Sequence, residues 1–108
     1  MKIYEVVEPN FDIVDDTSVY MRNDPEFYRK EYFPAMASMA DMHSRGKPVD
    51  AHKSLSGLVD KGCTSYCKKY NLARHPDEVY TQEHRDALID KLFSEEMELI
   101  KKGEYKWG

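Results

Sequence analysis

The sequence predicts a mainly α fold, a small irregular bundle of three to five helices built by a single domain over residues 1–108. Three observations predict it. Side chains suited to helix N-termini open three long segments, at Asp24, Asp50 and Thr81. Apolar residues recur at helical spacing along each of those segments. Strand-like sequence is confined to the two ends of the chain.

At the N-terminus, residues 2–7 (KIYEVV) favour a short strand, and at the other end Glu104, Tyr105, Lys106 and Trp107 alternate polar and aromatic side chains. The two are able to pair as a two-stranded ribbon, which is marginal alone and needs helices beneath it. The first helix is expected after Asp24, where Pro25 suits the first helical position and Glu26 sets an acid against the helix dipole. Tyr28, Tyr32, Ala35, Met36, Met39 and Met42 then share one face. Pro34 interrupts this stripe. It lacks the N–H of a helical bond and collides with the preceding turn, so a kink, or a second helix starting at Pro34, is predicted. Gly46 and Pro48 close the segment.

Asp50 caps the next helix, which runs to Tyr70 with Asn71 as its stop. Leu55, Leu58, Val59, Cys63, Tyr66 and Tyr70 form its apolar side. Gly62 also falls there, where a missing side chain lets another helix approach, with Ala35, Ala37 and Ala40 as expected neighbours. The last helix, Gln82 to Lys102, is capped by Thr81 and closed by Gly103. It carries Glu83 early and Lys101 and Lys102 late, in accord with the dipole. Leu88, Ile89, Leu92, Phe93, Met97, Leu99 and Ile100 cover about half its circumference, so it is expected to be the spine of the fold.

Ile, Leu, Val and Phe number only 21, and six Met and eight Tyr supplement this thin core. A core of that size leaves a monomer and a homodimer equally open. Met1 to Pro9 lacks the apolar run of a secretory signal, and no stretch nears the roughly 20 apolar residues of a spanning helix, so a cytoplasmic protein without membrane contact is expected. Cys63 and Cys67 are too few for a zinc site and poorly spaced for a disulfide, and read as buried free thiols.

Charge is distributed unevenly. Residues 43–75 hold seven Lys/Arg against two acids, whereas residues 1–42 hold four against nine and residues 76–108 five against nine. The chain either folds these charges together or offers the basic segment to an anionic partner. On a helical wheel Lys53, Lys61 and Lys68 fall on one side with Thr64 and Ser65, a face able to follow a phosphate backbone. Asp60 shares it, and the alternative is a solvated face paired with the protein's own acidic helices.

Glu96 lands in the apolar arc of the last helix, with Arg85 on the same line about 16 Å away, so each needs a partner from elsewhere. For Glu96 that is a structural ion pair, with Arg74 or Arg29 as candidates, or a catalytic carboxylate working with His43, His75 or His84. No histidine spacing matches a helical di-iron or zinc-protease motif, and neither a metal nor a cofactor is expected. His84, Arg85 and Asp86 match the kinase catalytic loop in letters only, because position 91 is Lys91 and no glycine-rich loop exists.

These observations lead to an expected binding or regulatory protein that acts by protein contact, with another chain or with itself, and not by catalysis. A nucleic-acid accessory factor using Lys53, Lys61 and Lys68 is the second expectation, and a small enzyme centred on Glu96 and a histidine the third.

Overall fold

Four helical rods follow one another in the computed structural model, which describes residues 12–72 and 75–103. The first is α1 (Asp12–Asn23). The second joins α2 (Pro25–Phe27), a π-helical turn (Tyr28–Tyr32) and α3 (Phe33–Ser44) without interruption. After α4 (Ala51–Tyr70) a 3-10 turn (Pro76–Glu78) leads into α5 (Gln82–Lys102). No strand occurs among the described residues, and the expected terminal ribbon lies outside them.

Helix α1 is the element that sequence periodicity did not single out. Its buried face, Ile13, Val14, Thr17, Ser18, Tyr20 and Met21, has helical spacing, but β-branched residues and two hydroxyls interrupt the apolar signal. Both hydroxyls are satisfied where they are buried. Thr17 shares a 2.6 Å hydrogen bond with the Tyr80 hydroxyl, and Ser18 donates to the Asp15 carbonyl at 2.8 Å.

At Asp24 the chain turns as the cap chemistry requires, with the Phe27 N–H donating to the Asp24 carboxylate at 3.0 Å and Pro25 in the first turn. Pro34 does not break the rod, and it sits in the first turn of α3, one residue from the predicted start. Upstream of it the backbone widens, the Phe33 N–H bonds to the Tyr28 carbonyl five residues back, and α3 begins at Phe33. That extra residue in the turn shifts the buried stripe to Phe27, Tyr32, Met36 and Met39. Phe27, off the face expected for a regular helix, is thereby brought into the core, and Tyr28 stays only half-buried.

Asp50 caps α4 through the Lys53 N–H at 2.9 Å, and Asn71 ends it in the left-handed conformation at φ 53°. Buried along α4 are Leu55, Leu58, Val59, Gly62, Cys63, Tyr66 and Cys67, whereas Tyr70, expected inside, is 52% exposed at the helix end. The nearest side chain at Gly62 is Met21 of α1: a Cβ there would lie 2.6 Å from the Met21 sulfur. At Gly57 a Cβ would meet nothing within 4 Å. Gly57→Ala is therefore expected to stabilise by about 0.5–1 kcal/mol, and Gly62→Val to destabilise by about 1–3 kcal/mol. Urea midpoints of the two variants measure the contrast.

Thr81 and His84 form a reciprocal capping box at the start of α5, with the Thr81 N–H donating to His84 Nδ1 at 3.0 Å. Gly103 closes α5 in the left-handed region. Helix α5 packs against α4, α1 and α3, and Leu88 and Leu92 on it are fully buried, which makes it the spine.

Candidate functional site

The three candidate lysines are all exposed on α4 and line two separate depressions. Lys53 lines a depression of about 590 Å³ with Met42, Pro48 and Ser54 at the α3–α4 turn. Lys61 and Lys68 come together one helical stretch away, lining a shallow depression of about 380 Å³ with Asp60, Thr64 and Ser65. Lys61 is paired with Glu31 of the π-helical turn at 3.1 Å, and Lys69 with Asp24 at 3.1 Å. Part of the basic segment is thus folded against the acidic N-terminal flank. Lys53 and Lys68 have no ion-pair partner among the described residues.

Glu96 is buried, as its place on the wheel predicts, but its partners come from α1 and the π-helical turn. The Tyr32 hydroxyl donates a short hydrogen bond to Glu96 Oε2. Arg22 Nε donates to the Tyr32 hydroxyl at 3.0 Å and lies 3.3 Å from Glu96 Oε2, while its Nη1 meets Glu95 at 2.7 Å. Of the two partners expected from the sequence, Arg29 is exposed, and Arg74 lies outside the described residues. Burial disfavours the Arg22 charge, but bonds to Tyr32 and Glu95 and the nearby Glu96 carboxylate outweigh it and hold the guanidinium ionised. Burial, and then Glu96, push the Tyr32 hydroxyl upward, so it remains a donor. Glu96 Oε1 and Arg22 Nη2 are buried without a hydrogen-bond partner among the described residues.

Arg85 serves a different contact, pairing with Asp77 of the 3-10 turn at 2.6 Å. The histidines lie apart from Glu96. His84 is committed to the capping box, His75 accepts from the Asp77 N–H at 3.4 Å, and His43 is exposed at the end of α3. His84 and Glu96 are twelve residues apart on one helix, roughly 18 Å. Glu96 lines none of the depressions described here.

Cys63 and Cys67 are buried free thiols. Burial pushes the Cys63 thiol up to about 12, against the opposing pull of Arg85, and raises Cys67 as well. Neither is a thiolate at neutral pH. The native protein is expected to leave both unreacted with a soluble disulfide reagent over minutes and to titrate both in denaturant. Rapid native labelling of either would show an accessible nucleophile.

The feature that sequence reasoning missed is a groove of about 480 Å³ between the C-terminal half of α1 and the end of α4. Its floor is aromatic. Tyr20 meets Tyr66 edge-on at 5.7 Å and Tyr70 at 6.3 Å, and Tyr66 and Tyr70 stand 4.7 Å apart. The Tyr20 hydroxyl bonds to Ser65 at 2.6 Å, and Lys69 Nζ sits 5.7 Å from the Tyr20 ring centre. Lys69 is held there by Asp24, whose carboxyl is kept below its usual value first by the Phe27 N–H and then by Lys69. Val19 and Tyr70 stand on the walls at 54% and 52% exposure, and Asp16 and Asp24 add acid to the rim. Tyr66 and Tyr70, one helical turn apart near the end of α4, carried part of this signal; α1 carried the rest.

No family model matches the chain, and neither a curated protein nor a solved structure shows significant similarity to it. Among the described residues no helix is long and apolar enough to cross a membrane, and no cluster of His, Cys, Asp or Glu is placed to hold a metal ion.

Proposed function

We propose that the chain is a small protein-recognition module that works by contact, taking a segment of another protein into the groove between α1 and α4. One observation carries this reading: Val19 and Tyr70, the two most exposed of the large apolar side chains among the described residues, line one groove together with the packed Tyr20 and Tyr66. Large apolar groups gathered at one place on a surface mark interfaces, and tyrosine is enriched there. Tyr20 and Tyr66 are buried and held by mutual ring contacts and by Ser65, so docking onto them costs little side-chain entropy. Leu72, 41% exposed, follows two residues beyond Tyr70.

Selection of a displayed random-peptide library against the protein tests the reading. Peptides that bind the wild type and lose at least about tenfold in affinity on Val19→Asp/Tyr70→Ala support it. Absence of enrichment, or enrichment indifferent to that double variant, overturns it. Both side chains are largely solvent-exposed, and unchanged helical circular dichroism confirms that the variant is folded. A solution mass of twice 12.7 kDa that the double variant halves would put a second copy in the groove and overturn the reading of a different partner.

A second reading, binding of nucleic acid, draws on Lys61 and Lys68 flanking the Thr64 and Ser65 hydroxyls in one depression. It requires binding of a labelled oligonucleotide that collapses between low and moderate salt and is lost when Lys53, Lys61 and Lys68 are changed to Glu. The pairing of Lys61 with Glu31 weighs against it.

A further inference from the structure

The depression at the α3–α4 turn is a separate place from the tyrosine groove. The two share no lining residue, and about 24 Å of helix lies between Lys53 in one and Lys69 in the other. At about 590 Å³ it has the size of a small-molecule site. Helix α3 brings Ala35, Ser38 and Met42 to it, three or four residues apart and so on one face. The cap and first turn of α4 bring Asp50, Lys53 and Ser54, and Pro48 comes from the connection. That connection is tied to the end of α3, where Gly46 turns at φ 73° and the Lys47 N–H returns to the Met42 carbonyl at 3.0 Å.

The polar groups around this depression are not matched to one another. Among the described residues Lys53 has no carboxylate partner, and Asp50, which accepts the Lys53 N–H on Oδ1 at 2.9 Å, has no cation. Three residues apart, the two side chains do not pair with each other. The Ser38 and Ser54 hydroxyls also lack the bonds to helix carbonyls that Ser18, Ser44 and Ser94 make. Beside these four stands an apolar wall of Ala35, Met42 and Pro48. A simple anion placed here would meet the Asp50 carboxylate, and a simple cation would meet Lys53. A molecule that carries both charges close together satisfies both.

We infer that this depression binds a small zwitterion, an α-amino acid with an apolar side chain. Its carboxylate pairs with Lys53 and accepts from the serine hydroxyls, its ammonium pairs with Asp50, and its side chain lies against Met42, Ala35 and Pro48. The charged side chains project from positions about 5–6 Å apart on α4, and an α-amino acid holds its two charged groups on one carbon, so one small ligand reaches both. This site is independent of the tyrosine groove and of whatever occupies it.

Amide shift titration of the chain with L-leucine, L-methionine and L-phenylalanine at neutral pH tests the inference. At least one is expected to give saturable shifts confined to residues 35–54, with a Kd on the order of 1 mM for a ligand of about ten heavy atoms. Acetylating the amine of that amino acid, or amidating its carboxylate, is expected to weaken binding about tenfold. Lys53→Met is expected to weaken it by a similar factor, and Lys68→Met to leave it unchanged. Asp50→Asn keeps a good helix cap and removes the charge. It is expected to weaken the free amino acid and leave the acetylated one unaffected, a difference that a loss of local structure would not produce. No saturable shift from any of the three up to about 10 mM overturns the inference. So does an acetylated ligand that binds as tightly as the free one, or an equal response to inorganic phosphate, which would mark a lysine patch for anions only.

Discussion

Arg22→Leu is expected to lower the unfolding free energy by about 3–5 kcal/mol, because it leaves the buried Glu96 carboxylate without its cation. Tyr32 alone would remain to face that charge, and Glu96 Oε1 already has no hydrogen-bond partner among the described residues. Glu95, at 45% side-chain exposure, turns to water when Arg22 is removed and adds little to the loss. The double change Arg22→Leu/Glu96→Leu is expected to recover most of the stability, since two apolar side chains replace a pair whose desolvation nearly offsets its attraction. Urea unfolding of the two singles and the double closes the cycle. A double-variant loss equal to the sum of the two single losses would mean that the pair carries no coupling.

Leu92→Ala is expected to cost about 2–5 kcal/mol, the range for removing a fully buried leucine and leaving a cavity. Helix α5 touches three of the other helices, so neighbours on all sides are tied to one another and are poorly placed to close the gap. Thermal and urea midpoints report the loss. A fall under about 1 kcal/mol would mean that the core collapses freely around position 92, against the spine role of α5.

How much of this was legible in the sequence depends on which forces fix each part. The bounds of α4 and α5 were readable because local chemistry sets them: Asp50 and Thr81 bond to backbone N–H groups three residues on, and Asn71 and Gly103 take left-handed turns. Helix α1 was not, since Thr17 and Ser18 sit on its buried face and become acceptable there only through Tyr80 and the Asp15 carbonyl. The response to Pro34 was half readable. Loss of the N–H at 34 foretells a disturbance, but its form, a π-helical turn that draws Phe27 inward, answers to packing.

The same division holds for the candidate site. The wheel places Glu96 inside, yet Arg22 belongs to α1, so its partner was out of reach. The groove suffered equally, because Val19 and Tyr20 come from α1 and gain meaning only beside Tyr66 and Tyr70. The charge asymmetry of the chain was plain, and the Lys61–Glu31 and Lys69–Asp24 pairs now account for part of it within the fold.

Amide shift mapping is the most direct measurement of the central claim, that recognition resides in the groove between α1 and the end of α4. On titration with a peptide selected on the wild type, the account predicts shifts concentrated at residues 16–25 and 66–70, with the outward faces of α3 and α5 unmoved. Shifts centred on Lys53, on α5, or spread evenly over the bundle would contradict it.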